Sequence, residues 1–146
     1  MTDGQLHYDA QGHEAKVFHV HDGHGIKQVM QAGIEVAVIS GRQSTAVETR
    51  MAELGIRHVR LGQTNKGKAF TDIITQLGIS PESVACVGDD EPDLPIMQVA
   101  GLGIAVADAQ SIVLAQADWR TSRGGGRGAV REVCDALIAA QGDKQK

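Results

Sequence analysis

The stretch Val84-Ala85-Cys86-Val87-Gly88-Asp89-Asp90-Glu91-Pro92-Asp93-Leu94-Pro95 limits what this chain can fold into more than any other. Its apolar start, Val84 to Val87, reads as a buried parallel strand. Gly88 permits a tight turn, and Asp89, Asp90 and Asp93 follow at once. Pro92 and Pro95 suit the first turn of a helix, where a missing N–H costs little. Three carboxylates therefore sit where a strand hands over to a helix. In open α/β sheets that end of the strand is where ligands bind. Adjacent carboxylates repel unless a cation holds them together, and Mg²⁺ is the usual hard-cation partner. The same acids could equally do no more than cap the helix and favour its dipole.

Strands and helices alternate around this unit. Residues 5–20 predict a hairpin: Gln5 to Tyr8 extended, a turn at Asp9-Ala10-Gln11-Gly12, and a return strand from Ala15 to Val20. A helix is expected up to Ala32, stopping at Gly33. Glu35 to Ile39 reads as a second buried strand. Thr45 to Glu48 matches a capping box for a helix to Leu54, with Gly55 as its stop. A short strand, His58 to Leu61, leads to a helix that ends at Leu77 before Gly78. After the acids a helix should reach about Val99. Strands follow at Leu102–Val106 and Ala117–Thr121, with Asp108 as the expected cap of the helix between them. A closing helix spans Ala129 to Ala140, and 141–146 reads as a frayed tail. This alternation predicts a doubly wound, mainly parallel α/β sheet in one domain over 1–146.

Only 3% of the residues are aromatic, so the core must be aliphatic. The net charge of −4 and the lack of a basic run speak against nucleic acid or an anionic membrane as partner. No apolar stretch is long enough to span a bilayer, and no leader pattern is visible, so a cytoplasmic location is expected. Cys86 and Cys134 lie in apolar surroundings without C-x-x-C spacing and read as free core thiols. His19, His21 and His24 cluster, but no fourth ligand is spaced to complete a zinc site with them.

Three further stretches carry candidate chemistry. Ser40-Gly41-Arg42 follows a strand, where a small hydroxyl and an arginine can grip a phosphate, although it also reads as an ordinary turn. Lys66 opens a helix, against the preference of the helix dipole, which suggests an anionic partner. Ser122-Arg123-Gly124-Gly125-Gly126-Arg127-Gly128 is mobile by composition and carries two arginines that could reach a phosphate. The ligand groups thus come from separate strand ends in the order Ser40, Lys66, Asp89, Asp93.

That order resembles the haloacid dehalogenase superfamily of phosphatases, in which a Ser or Thr, then a Lys, then a pair of acids follow an N-terminal catalytic aspartate. A response-regulator receiver uses similar residues but with its acids first and its lysine last. The match extends through Thr2-Asp3-Gly4, Phe18 to Ile26, Ile39-Ser40-Gly41-Arg42, Gly62-Gln63-Thr64-Asn65-Lys66, Val87-Gly88-Asp89-Asp90, Val106-Ala107-Asp108-Ala109 and Gly125 to Glu132. Together these resemble the capless, tetrameric branch that acts on 3-deoxy-D-manno-octulosonate 8-phosphate in lipopolysaccharide-precursor synthesis. By that resemblance Ser40 binds the transferring phosphoryl group, with Gly41 and Arg42 beside it. Lys66 neutralises its charge, Asp89 ligates Mg²⁺, and Asp93 supports the metal or the lysine. Arg127 helps close over substrate, and the hairpin at 5–20 builds a homotetramer. Another acidic sugar phosphate, such as an acylneuraminate 9-phosphate, is the alternative substrate. A non-catalytic assembly or regulatory subunit is the alternative of another class.

Two departures from the family pattern stand out. His21 occupies a position where the family usually has arginine. The family's first strand, with its Asp-x-Asp-Gly motif, precedes the segment matching Met1-Thr2-Asp3-Gly4. Its nucleophile and general acid/base are therefore expected to be missing from these 146 residues, and the chain as it stands to be inactive. That strand would lie between the ones ending at Ser40 and Asp89. Without it the chain can pair those two directly, fill the slot from elsewhere, or keep a gap at some cost in stability.

Overall fold

The computed structural model describes residues 1–143. Strands β1 (His7–Tyr8) and β2 (Glu14–Ala15) pair antiparallel, His7 against Ala15 and Tyr8 against Glu14. The Asp9 carboxylate closes their turn by accepting from the Gln11 and His13 amides at 2.9 and 2.8 Å. The return strand expected to reach Val20 stops at Ala15. By Val20 the chain is already helical, in α1 (Val20–Gln31), with His19 as N-cap and its Nδ1 accepting from the His21 amide at 3.3 Å.

Strand β3 (Ala37–Ile39), helix α2 (Thr45–Leu54), strand β4 (His58–Arg60) and helix α3 (Lys66–Leu77) follow. β3 starts two residues later than Glu35, because its ladder with β4 runs only from Ala37–His58 to Ile39–Arg60, in parallel. Gly55 and Gly78 end α2 and α3 in the left-handed region that a side chain disfavours, at φ 80° and 66°. The capping box expected from Thr45 does not form. Thr45 is itself helical, Ser44 is the N-cap without a side-chain bond, and Glu48 takes the Gln43 side-chain amide instead.

Strands β5 (Ala85–Gly88), β6 (Leu102–Ala105) and β7 (Trp119–Arg120) make a second parallel sheet in that order. Between and after them come α4 (Leu94–Met97), α5 (Ser111–Gln116) and α6 (Ala129–Asp143). α4 is shorter than expected: its last turn tightens, with the Val99 amide on Ile96 O at 3.1 Å. Asp108 does not cap α5. Gln110 precedes that helix, and the Asp108 carboxylate accepts from the Gly125 amide at 2.7 Å. Of the tail expected to fray, 141–143 continue α6, and 144–146 lie outside the described residues.

The core is aliphatic as expected, with Ile104, Ala105 and Val113 fully buried. Burying such side chains contributes about 1.5–3 kcal/mol each for the larger ones. α1 packs on α6, and Ile26 and Val29 share a cluster with Met51, Leu54 and Cys134. Among the described residues no helix is long and apolar enough to cross a membrane.

The two parallel sheets do not join. No strand of the described residues lies between β3 and β5, and these two do not pair with each other. Their facing edges are partly open, with Val87 36% exposed. One helical layer bridges them: Phe70 and Ile74 of α3 and Ile96 pack with Ile39 of β3 and with Val84 and Cys86 of the β5 segment. Direct pairing of the two strands, the first of the three possible outcomes, therefore does not occur.

Candidate active site

Ser40 follows the last residue of β3. Its amide donates to Arg60 O at 2.9 Å, its carbonyl accepts from the Gln63 amide at 2.9 Å, and its hydroxyl accepts from the Arg42 amide at 3.2 Å. Two strand-end loops thus fix its position. Lys66 opens α3 behind Asn65, whose side chain accepts from the Lys68 amide at 2.9 Å. The anionic partner that its place in a first turn suggested is Asp93: Lys66 Nζ lies 2.7 Å from Asp93 Oδ1.

Asp93 organises the strand-to-helix turn. Its other oxygen accepts from the amides of Asp89 and Asp90 at 3.0 and 3.3 Å. Asp90, exposed on the same loop, caps it, accepting from the Glu91 amide at 2.8 Å. Gly88 is required here by contact, since a Cβ would stand 2.6 Å from Asp93 Cβ. The capping reading of the acids therefore holds at Asp90 and Asp93. Asp90 and Asp93 satisfy backbone donors of the turn, and Asp89 stands beside Asp93 as the candidate ligand.

The Asp89 carboxyl is pushed up from its ordinary value by loss of water around it and by the neighbouring Asp93 charge, with Lys66 opposing. A hard cation would relieve that repulsion, and carboxylate oxygen is the donor magnesium takes. Asp89 fits such an ion as a ligand. Asp93, with both oxygens engaged, fits as the group that orders Asp89 and Lys66. Among the described residues no three His, Cys, Asp or Glu side chains form a metal cluster, the His19, His21 and His24 group included.

Two expected site residues pair with the N-terminal segment in this structure. Arg42 turns from Ser40 to the hairpin, its Nη2 donating to Glu14 Oε2 at 2.7 Å and to the Tyr8 hydroxyl at 2.9 Å. Gly41 beside it meets nothing closer to a built Cβ than Gln63 O at 3.6 Å, so the turn does not demand glycine for space. Arg127 reaches Asp3 Oδ2 at 3.4 Å, and its side chain is largely exposed. The sequence did not single out Asp22, which is fully buried. It accepts from the Arg131 amide at 3.0 Å across the α1–α6 contact, and its second oxygen has no partner. No local pattern marks it, because its partner lies 109 residues away.

Lys66, Asp89 and Asp93 thus form one charged cluster, with Ser40 ending the strand across the gap. Residues 59–129 match the family model of haloacid dehalogenase-like hydrolases. The chain is 50% identical over 142 residues to 3-deoxy-D-manno-octulosonate 8-phosphate phosphatase KdsC of Escherichia coli (strain K12), covering 97% of this chain and 76% of that protein. The solved 3-deoxy-D-manno-octulosonate 8-phosphate phosphatase from Yersinia pestis superposes with a TM-score of 0.95 at 45% identity, over 97% of this chain and 76% of that one. The enzyme of that name from Moraxella catarrhalis, in complex with a magnesium ion, a phosphate ion and KDO, gives 0.89 at 42% identity, over 95% and 86%. Half-identity over nearly the whole chain, together with the same fold, leads to one assignment: the chain belongs to the 3-deoxy-D-manno-octulosonate 8-phosphate phosphatase family of haloacid dehalogenase-like hydrolases.

Proposed function

We propose that this chain serves the magnesium-dependent hydrolysis of 3-deoxy-D-manno-octulosonate 8-phosphate to the free sugar acid and phosphate, in lipopolysaccharide-precursor synthesis in the cytoplasm. The observation that carries this reading is the Lys66–Asp93 pair beside Asp89, at the end of a strand facing Ser40 across a gap. Phosphoryl transfer asks a protein for alignment and charge neutralisation more than for bond chemistry. Ser40 donates its hydroxyl to a phosphoryl oxygen. Lys66, held by Asp93, sets a fixed positive charge beside it. Asp89 holds the magnesium, which when bound supplies further neutralisation of the phosphate. The gap between β3 and β5 is where a carboxylate nucleophile would stand, and no strand of the described residues pairs into it.

Phosphate release from 3-deoxy-D-manno-octulosonate 8-phosphate with magnesium tests this. Residues 1–146 alone are compared with a form extended upstream through an Asp-x-Asp-Gly segment. Turnover is expected from the extended form and none from residues 1–146. Substantial turnover by residues 1–146 would place the nucleophile inside the chain and overturn the mechanism. Faster turnover of an acylneuraminate 9-phosphate by the extended form would reassign the substrate.

A further inference from the structure

Asp89 is held by its backbone on both sides. Its amide donates to Asp93 Oδ2 at 3.0 Å, and its carbonyl accepts from the Gln110 amide at 2.8 Å. The first bond lies inside the acid turn. The second comes from the turn between β6 and α5, residues 106–110. That turn also meets the residue before Asp89, since the Gly88 carbonyl accepts from the Val106 amide at 3.3 Å. Turn 106–110 is itself anchored. The Ala109 amide closes it on Val106 O at 3.0 Å, and Val106 and Ala109 are buried. The Ala107 amide donates to Arg123 O at 3.1 Å, and the Ala107 carbonyl accepts from Arg120 Nη2 at 3.0 Å. The Asp108 carboxylate accepts from the Gly125 amide at 2.7 Å. Gly124 packs against the same carboxylate, so closely that a Cβ there would stand 2.7 Å from Asp108 Oδ2. The Gln110 carbonyl accepts from the Val113 and Leu114 amides at 2.9 and 3.0 Å, which ties the end of the turn to the start of α5.

We infer that turn 106–110 is the backstop that sets the position of Asp89 for magnesium, with Gln110 acting through its amide and Asp108 by locking the turn to Gly125. This rests on the reading of Asp89 as the magnesium ligand. Magnesium demands near-octahedral geometry, so a displaced ligand is costly to it, whereas calcium accepts irregular coordination. Partners that orient a metal ligand carry about 10–100-fold in affinity. Gln110 and Asp108 are positioning residues, and both act through the Asp89 backbone.

The test is calorimetric titration of residues 1–146 with magnesium and, separately, with calcium, together with amide exchange. Gln110→Pro removes one hydrogen-bond donor and little else: Gln110 has φ −58°, within the range that the proline ring fixes, and it precedes α5 as its N-cap. Asp108→Ala frees the turn at a different residue, so failure of one variant to fold leaves the other. Each should weaken magnesium about tenfold and calcium by less than about threefold. Gln110→Ala keeps the amide and should bind magnesium within about twofold of the unaltered chain. In the unaltered chain the Gln110 amide should be protected, and Asp108→Ala should speed its exchange. A rapidly exchanging Gln110 amide in the unaltered chain would overturn the proposal without reference to any metal. Equal loss of magnesium and calcium would mark the turn as merely structural and overturn it too. So would a loss in Gln110→Ala as large as in Gln110→Pro, which would assign the effect to the side chain. A protected Gln110 amide in a chain that binds no magnesium would overturn the reading of Asp89 as ligand and, with it, the positioning role.

Discussion

Asp93 carries more of the site than any other single residue. It neutralises Lys66 with one oxygen and ties down two amides with the other, and the Lys66 and Asp93 side chains are only 18% and 12% exposed. Asp93→Ala leaves a half-buried ammonium and two amides without partners, which should cost about 2–4 kcal/mol in urea unfolding. Asp93→Asn keeps an acceptor for the amides and should cost about half as much. Magnesium titration separates the neighbouring roles: Asp89→Asn should abolish binding, since Asp93 has no oxygen to spare. At the hairpin, the Arg42 hydrogen bond leads, with Ser44 and Lys16 assisting, in holding the Glu14 carboxyl below its ordinary value of 4.5, against burial. The folded state thus favours the charged form. The clasp is complete above the ordinary glutamate value and loosens only as the pH falls below it. Tyr8 is the only tyrosine, so one ¹³C-labelled resonance reports the clasp. It should stay constant from neutrality down to about pH 4.5, and a titration centred above that value would contradict the assignment.

Among the strands of the described residues, β6 alone is paired on both sides, and it is also the most buried of them. Its amides should exchange most slowly, while β3 and β5, each with one open edge, should exchange markedly faster under the same conditions. Equal protection in all three would mean that the gap is closed in solution. The turn after β5 makes a second claim at this scale. Gly88→Ala forces Asp93 away from its amides, so it should destabilise about as much as Asp93→Ala does, by about 2–4 kcal/mol. That strand, turn and acid cluster were legible in the sequence because every piece lies within a dozen residues. The same holds for α3, with Lys66 at its start and Gly78 at its stop. What escaped depends on partners far along the chain. Arg42 is drawn to Glu14 28 residues away, and Asp108 to Gly125 17 residues away. Composition made loop 122–128 look loose, because glycine signals freedom and close approach alike. The shortened β2 and β3 follow from pairing, which single-strand patterns do not contain.

On the scale of the whole molecule, the hairpin arm and the segment after it expose Leu6, Tyr8, Val17 and Val20 at 46%, 56%, 67% and 71%. We propose that these apolar groups, gathered on one arm, form a contact between copies; light scattering should then find an assembly. Val17→Asp with Val20→Asp should reduce it to smaller species at unchanged secondary structure. An unaltered mass would place the contact elsewhere. The divided sheet has a different, mechanical consequence. Each ladder is stiff along its own run of hydrogen bonds, but across the gap no ladder bond resists displacement; the packing of Ile39, Val84 and Cys86 on α3 and Ile96, the α1–α6 contact and the Lys66–Asp93 pair do. Ser40 rides on one plate and Asp89 on the other, so the reach between them is spring-loaded by side chains. Displacement of reacting groups by about 1 Å can cost about a hundredfold in rate. Whatever spans the gap, whether a strand or a ligand touching both plates, is then a brace as much as a reactant, and the stiffness it lends tunes the spacing between Ser40 and Asp89.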